Sequence, residues 1–385
     1  MFSFRTTPLE AQEDRVLHRG KVALLCGQAS WNPETGQYLF ETLYRRGNLK
    51  KVIFPASDFP DRGIRAFGLE DCMSCPLEKD VEDTGYAFGP DIMDNIDALV
   101  VDYRDTGTRY DAMTGTLYKL FQLICHSEQE VSVYIMDREN MCGRLVEGTS
   151  LIPDGDMSAG IEGIPHRHGL TLGELSGLFY SELGARFPLH IISCSVHTAS
   201  QILMPWSIPP AGDITGLFTS VFHCGMKLLS GTNISCGTGT PRPYEFFGAP
   251  FMERYMSADY DISQISDPAV LMRRTVFRPA EGLYAGQACY GFQMLPKPGV
   301  PYHSVAHALR IIRHVASECK DADISGFPAT VGDTVMADYV SGKAEWNDLK
   351  EHIKIEEQKW IRKARRQMLY EDQLVRVKTL PQCGL

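Results

Sequence analysis

The feature that most narrows the fold is a series of short apolar runs. Lys21–Cys26 (KVALLC), Lys51–Phe54 (KVIF), Ala98–Asp102 (ALVVD), Val131–Met136 (VSVYIM) and Leu189–Ile192 each stop after four to six residues. Continuous apolar runs of this length read as strands buried on both faces of a sheet. Helical spacing fills two of the gaps. Thr35–Arg46 carries Leu39, Phe40, Leu43 and Tyr44 on one face, and Ala112–His126 carries Met113, Leu117, Leu120, Phe121 and Ile124. Strand, helix, strand at this spacing predicts a parallel sheet with covering helices. In such sheets ligands bind beyond the C-terminal strand ends. Here those ends run into polar loops: Gln28, then Ser57-Asp58, then Asp102-Tyr103-Arg104-Asp105, then Asp137-Arg138-Glu139-Asn140.

Further along, Thr171 followed by Glu174 is a capping-box pattern that predicts a helix to about Leu183. Trp206–Pro210 reads as extended, and Thr215–Ser230 as an apolar helix. That helix leads into Gly231–Pro250, which holds four glycines, three prolines and the polar side chains Asn233, Arg242 and Glu245. Glycine permits close backbone approach and proline limits the resulting freedom, so the loop reads as a rigid wall of a site. After Pro250 the pattern changes. Cys289–Met294 reads as an antiparallel strand, Ser304–Ser317 as an amphipathic helix, and Trp346–Leu369 as a long charged helix. The expected architecture is α/β: residues 1–19 as an extension, 20–252 as a Rossmann-like parallel-sheet domain, and 253–385 as a smaller mixed α+β domain.

Composition excludes several classes. The 385 residues are 44% hydrophobic and 22% charged, which supports buried cores, and the net charge of −10 argues against a nucleic-acid partner. The basic cluster Lys359–Arg366 reads as a solvated helix face. Eleven cysteines include one C-x-x-C pair, Cys72 and Cys75, with no second pair or histidine spacing to make a zinc site. The first twenty residues lack an apolar signal-peptide core, and no run is long enough to span a membrane. The expectation is a cytoplasmic protein with reduced cysteines.

Five stretches taken together resemble the NamZ-like exo-β-N-acetylmuramidase family of peptidoglycan hydrolases. The family's D-I-Q-D-x-G-x-R-x-Y resembles Asp102–Tyr110, its D-R-P-N-P resembles Asp137–Met141, and its V-E-G-P is similar to Val146–Thr149. Its I-P-x-R-H-G-M-T is nearly intact as Ile164–Thr171, and its long glycine-rich motif resembles Gly231–Pro250. The resemblance implies an enzyme that releases terminal N-acetylmuramic acid from the non-reducing end of peptidoglycan fragments. A saccharide or muropeptide is then the ligand, and no metal or organic cofactor is required.

Glycoside cleavage generally takes two carboxyl groups, one protonated and one ionised. The catalytic candidates are Asp58, Asp102, Asp105 and Glu147. Arginine suits the lactyl carboxylate of muramic acid, so Arg109, Arg167 and Arg242 are the expected clamps. His168 is a candidate for binding a sugar hydroxyl or sharing a proton. Gln28, Tyr110, Asp137, Asn233 and Glu245 complete the expected substrate-binding set.

The departures from the family pattern fall on polar positions. The family's G-P-E-H-G is here Pro55–Phe59, with Ala56 at the glutamate position and Asp58 as the nearest carboxyl. The T-N-Q-T-G run keeps only Gln28. In the glycine-rich loop the leading glutamate is Ser230, and S-E-G-R-G-T-T becomes Ser235–Pro241, with the loss of one glutamate and one arginine. A binding protein without hydrolytic activity is therefore the alternative expectation.

Overall fold

A computed structural model describes residues 2–5, 18–33, 35–78, 85–152, 160–193 and 208–377. The chain forms two compact units that are discontinuous in sequence. The first comprises residues 1–144, 169–212 and 364–373, and the second comprises 145–168, 213–363 and 374–385.

The first unit begins with β1 (Phe2–Arg5), β2 (Val22–Cys26), α1 (Leu39–Arg45), β3 (Leu49–Pro55), β4 (Met73–Leu77), β5 (Ala98–Asp102), α2 (Ala112–His126) and β6 (Ser132–Met136). The chain then contributes β7 (Leu145–Ser150) and β8 (Pro165–Arg167) to the second unit. It returns to the first with α3 (Leu172–Glu182) and β9 (Leu189–Ile192).

Among the described residues, seven strands form one sheet in the order β1-β9-β6-β5-β2-β3-β4. Every neighbouring pair is parallel. β2 and β5 lie at the centre, and all five residues of each are buried, in keeping with their apolar runs VALLC and ALVV. From β2 the chain builds outward through β3 and β4, then crosses to β5, β6 and β9 on the other side. The C-terminal ends of β2 and β5 are therefore the topological switch point, the usual crevice for ligands in such sheets. Cys26 and Asp102 are register partners there.

Caps and aromatic packing explain where elements start. Asp111 caps α2 by accepting from the Thr114 N–H at 2.9 Å. Thr171 and Glu174 form the expected capping box of α3. α1 is shorter than its apolar spacing predicts, because Asn32 and Gln37 pair as a bridge and the Tyr38 N–H donates to Glu41 Oε2 at 2.8 Å. Phe59 is buried edge-on against Phe54 and Phe40, at 5.3 and 5.9 Å between ring centres, which pins the loop after β3 into the core.

The second unit adds α4 (Leu217–Met226), β10 (Phe246–Ala249), β11 (Val270–Phe277), β12 (Cys289–Pro296), α5 (Ser304–Glu318), α6 (Phe327–Val331), α7 (Thr334–Val340), α8 (Trp346–Ala364) and β13 (Val375–Arg376). One sheet runs β10-β12-β11, all antiparallel, and another runs β13-β7-β8. At the β10–β12 crossing Gly248 faces Gly291, and a Cβ at Gly291 would lie 2.0 Å from the Phe247 carbonyl oxygen. Gly291→Ala is expected to separate these strands and destabilise the protein by about 2–3 kcal/mol, seen as a lower urea midpoint at unchanged slope.

The expected single boundary near residue 252 differs from this division. The segments 213–252 and 145–168 both fall with the second unit. β7 pairs with β8 on one side and with β13 on the other, and a strand's sequence does not disclose its pairing partner. Residues 2–5, expected as part of an extension, form an edge strand on β9. β4 and β11 were not legible as strands, since β4 contains Pro76 and β11 is broken by Arg273 and Arg274, both features of edge strands. Trp206 and Ser207 of the expected extended segment lie outside the described residues.

Candidate functional site

At the switch point of the first unit, Gln28, Asp58 and Asp102 come together. Asp58 lies in the turn after β3, three residues beyond its last residue Pro55, and is half-buried. Its Oδ2 accepts from the Gln28 N–H at 2.8 Å, and the Tyr38 hydroxyl donates to the Gln28 carbonyl at 3.1 Å. The loop is thus held on both sides, by Tyr38 and by the buried Phe59. Burial raises the Asp58 carboxyl above its ordinary value, against the hydrogen bonds from Gln28 and Ser57.

Asp102 is in a different environment. Its Oδ1 accepts from Arg138 Nε at 2.8 Å and Nη2 at 2.6 Å, and the same Nη2 donates to the Ser30 carbonyl at 3.2 Å. Cys26 lies between the two carboxyls. Burial first, then the charges of Asp102 and Asp58, push its thiol well above the ordinary range. Arg104 on the next loop is half-buried, 3.6 Å from Glu139. Arg104 and Arg138 were passed over in the sequence reading in favour of other arginines. The signal that marks them is their position directly after β5 and β6.

Other candidates of this unit are engaged inside the fold. Asp105 is buried, and its Oδ1 accepts from the Gly107 N–H at 3.1 Å and the Thr114 hydroxyl at 3.4 Å. Asp111 beside it is pushed up to about 6, first by burial and then by Asp105. Arg109 is fully buried, with its guanidinium 5.3 Å from the centre of the half-buried Tyr110 ring.

Asp137 clamps the start of α3. It accepts from the Gly173 N–H at 2.7 Å, the Thr171 hydroxyl at 2.9 Å, the Tyr370 hydroxyl at 2.7 Å and the Arg138 N–H at 3.0 Å. Burial nevertheless pushes its carboxyl up to about 7. The folded state then holds a proton that the unfolded chain releases near pH 4, so this contribution to stability is present below pH 4 and is lost as pH rises to about 7. Asp137→Asn is expected to flatten the fall in unfolding free energy between those limits by about 4 kcal/mol, measured by urea unfolding across that pH range. Parallel pH profiles for the two proteins would contradict it.

In the second unit Glu147 and Arg167 pair at 3.0 Å, both fully buried. Glu147 Oε2 also accepts from the Ser304 hydroxyl at 2.9 Å and the Val305 N–H at 3.2 Å, at the N-terminus of α5. His303 caps that helix, with Nδ1 accepting from the Ala306 N–H at 3.2 Å and Nε2 bonded to Glu357 at 2.8 Å. Burial pulls the His303 imidazole down, but Glu147 and Glu357 outweigh it and hold it above its ordinary value. Arg167 also donates to the Val221 carbonyl at 3.2 Å. His168 is buried, and its carbonyl accepts from Trp360 Nε1 at 2.9 Å.

The glycine-rich loop has two parts. Asn233 anchors it: its side chain donates to the Asp321 carbonyl at 2.7 Å and accepts from the Asp323 N–H at 2.8 Å. Arg242, 52% exposed, pairs at 2.8 Å with buried Glu245, which also accepts from the Thr219 hydroxyl at 2.9 Å. Between them Tyr244 is held at φ 62°, an unusual value for tyrosine, with its ring 4.7 Å from His223 and its hydroxyl on Asp213 at 2.6 Å. A Cβ at Gly239 would lie 2.4 Å from the Glu281 carbonyl oxygen. Hydrogen bonds from Asn233 and Tyr244 and the close approach at Gly239 tie the loop down at several points.

A groove of about 540 Å³ lies elsewhere on the first unit, beside the N-terminal ends of β6 and β9, and holds none of these candidates. Among the described residues, no helix is long and apolar enough to cross a membrane.

Comparison with known proteins identifies the family. The N-terminal domain model of exo-beta-N-acetylmuramidase NamZ matches residues 84–210, and the C-terminal domain model matches residues 221–370. The chain belongs to the NamZ family. The interval between the two domain models contains the Gly212/Asp213 division of the compact units. A relative described as peptidoglycan beta-N-acetylmuramidase NamZ, from Bacillus subtilis (strain 168), is 26% identical over 230 residues. That match covers 59% of this chain and 55% of the relative, so it spans about half the relative's length. The chain also shares its fold with two DUF1343 family proteins from Bacteroides fragilis NCTC 9343. One has a TM-score of 0.73 at 18% identity over 93% of this chain and 96% of that one. The other has a TM-score of 0.72 at 20% identity over 94% and 96%.

Proposed function

We propose that this NamZ-family chain is a glycosidase of the exo-β-N-acetylmuramidase type, releasing N-acetylmuramic acid or a related sugar from the non-reducing end of peptidoglycan fragments. Family membership supports the substrate class. The observation that carries the chemistry is the unlike carboxyl pair at the switch point: Asp58, half-buried and raised by burial, and Asp102, paired with Arg138. Two carboxyls whose environments differ in this way are suited to opposite proton-transfer roles.

Asp58 supplies the proton. As the bond between the anomeric carbon and the glycosidic oxygen breaks, that proton passes to the leaving oxygen and the sugar gains oxocarbenium character. Asp102 accepts a proton from the water that adds to the anomeric carbon. The products are free sugar and alcohol, and the proton on Asp102 is returned through solvent to Asp58. Arg138 orients Asp102, and Arg104 is the cation suited to the lactyl carboxylate. Asp105, Asp111 and Asp137 act on loop and helix geometry. Glu147, Arg167 and Asn233 act within the second unit as structural groups, and Arg242 with Glu245 forms an ion pair within that unit.

Binding without hydrolysis is the second reading, favoured by Ala56, which stands where the resemblance calls for glutamate. A chromogenic N-acetylmuramic acid β-glycoside separates the two. Dye release above background supports the enzyme, while saturable binding with no release at any pH supports the second reading.

A further inference from the structure

A hollow of about 250 Å³ in the second unit is lined by Arg310, Arg313, His314, Tyr339, Glu345 and Trp346, among others. It is independent of the carboxyl pair described above. Two of its lining side chains are more than nine-tenths buried: Arg310 is 5% exposed and Trp346 is 7% exposed. Arg310 Nε and Trp346 Nε1 are both buried donors without a hydrogen-bond partner among the described residues. Leaving a buried N–H in this state is costly, and such groups are rare in native folds.

The rest of the arginine is fixed. Arg310 Nη2 donates to the Gln264 and Ser266 carbonyls at 3.0 and 2.8 Å, and Nη1 lies 3.9 Å from Asp267. Its guanidinium sits 6.0 Å from the centre of the Trp346 ring, so the two unpartnered donors belong to neighbouring groups. Arg313 donates to the Ala344 carbonyl at 2.7 Å and lies 4.5 Å over the Tyr339 ring. The ring of His314 bonds to the Tyr260 hydroxyl at 3.1 Å, and burial lowers its pKa. Asp267 lies beside Arg310 and Glu345 lines the hollow, so two carboxylates stand against the two arginines and the charge left over is small. That balance fits a single carboxylate better than a dianion, and a carboxylate has two oxygens for two donors.

We propose that this hollow binds an amino-acid-sized carboxylate, such as an acylated amino acid with a free carboxyl group. One oxygen accepts from Arg310 Nε and the other from Trp346 Nε1, with Arg313 supplying charge and Tyr339 and Trp346 forming an apolar wall. The volume lies just below the roughly 300–1,000 Å³ of sites for drug-sized ligands, which sets the size limit.

The test is a titration of the full chain, labelled with ¹⁵N at the tryptophan indoles, with N-acetylalanine. The chain has four tryptophans, and Trp346→Phe assigns the relevant signal. The expected result is a saturable movement of the Trp346 indole signal at millimolar ligand or below, weakened about tenfold or more by Arg310→Lys. Ser317 lines the same hollow at an exposed position, so Ser317→Phe fills it without entering the core, and the response should vanish there. The proposal is overturned if the signal stays still, if it moves equally with the N-acetylalanine amide or inorganic phosphate, or if the response persists in Ser317→Phe.

Discussion

Asp58→Asn is expected to lower the rate of sugar release by about 10²–10⁴-fold, the usual contribution of a general acid. The substitution keeps the size of the side chain and its acceptor for the Gln28 N–H, so the loop held by Phe59 and Tyr38 should stay in place. What is lost is the transferable proton. The sign of the pH dependence follows. In the wild type Asp58 must be protonated, so activity should decline as pH rises through its raised value. In Asp58→Asn the alkaline decline should disappear along with most of the rate. A variant that keeps the wild-type alkaline limb would assign the acid to another residue.

Glu147→Ala is expected to destabilise the protein by about 3–5 kcal/mol, as removal of one partner from a buried ion pair does. Four groups lose their acceptor or counter-charge together: Arg167, the Ser304 hydroxyl, the Val305 N–H and His303. Arg167 would be left as a buried cation, and α5 would lose an anion at its N-terminus. Glu147→Gln should cost less, since its amide oxygen can still accept from Ser304 and Val305. The check is thermal unfolding of both variants beside the wild type. A fall in midpoint on the order of 10 °C is expected for the alanine, with a smaller fall for the glutamine. A catalytic role would instead show as lost activity in Glu147→Gln with its midpoint unchanged.

Much of the first unit was legible in the sequence because its physics is local. β2 is apolar throughout, and β5, β6 and β9 carry one polar residue each, so these short, mostly apolar runs read as strands buried on both faces. α2 and α3 carry both an apolar stripe and cap residues near their starts. The second unit was harder to read. β7 and β8 look like any strand–loop–strand, and their partners in the second unit, β13 and the Ser304 and Val221 segments, lie tens to hundreds of residues away.

The site divides along the same line. Gln28, Asp58 and Asp102 could be read from sequence because polar residues after buried parallel strands collect on one edge. Arg109 and Arg167 could not be read as enclosed, since an arginine in a polar, glycine-rich loop looks exposed until its neighbours are known. The role of Glu147 depends on Ser304 and Val305, 157 and 158 positions away, a separation with no local trace. Arg138 was missed although it directly follows Asp137, because the sequence does not say which neighbouring strand end it reaches.

We propose that this chain hydrolyses a terminal N-acetylmuramic acid bond with Asp58 as the acid. The most direct measurement is mass spectrometry of a disaccharide carrying N-acetylmuramic acid at its non-reducing end and N-acetylglucosamine at the other, after incubation with the purified chain. The prediction is that both free sugars appear with the wild type and that the disaccharide survives Asp58→Asn. An intact disaccharide after incubation with correctly folded, saccharide-binding wild type would contradict it.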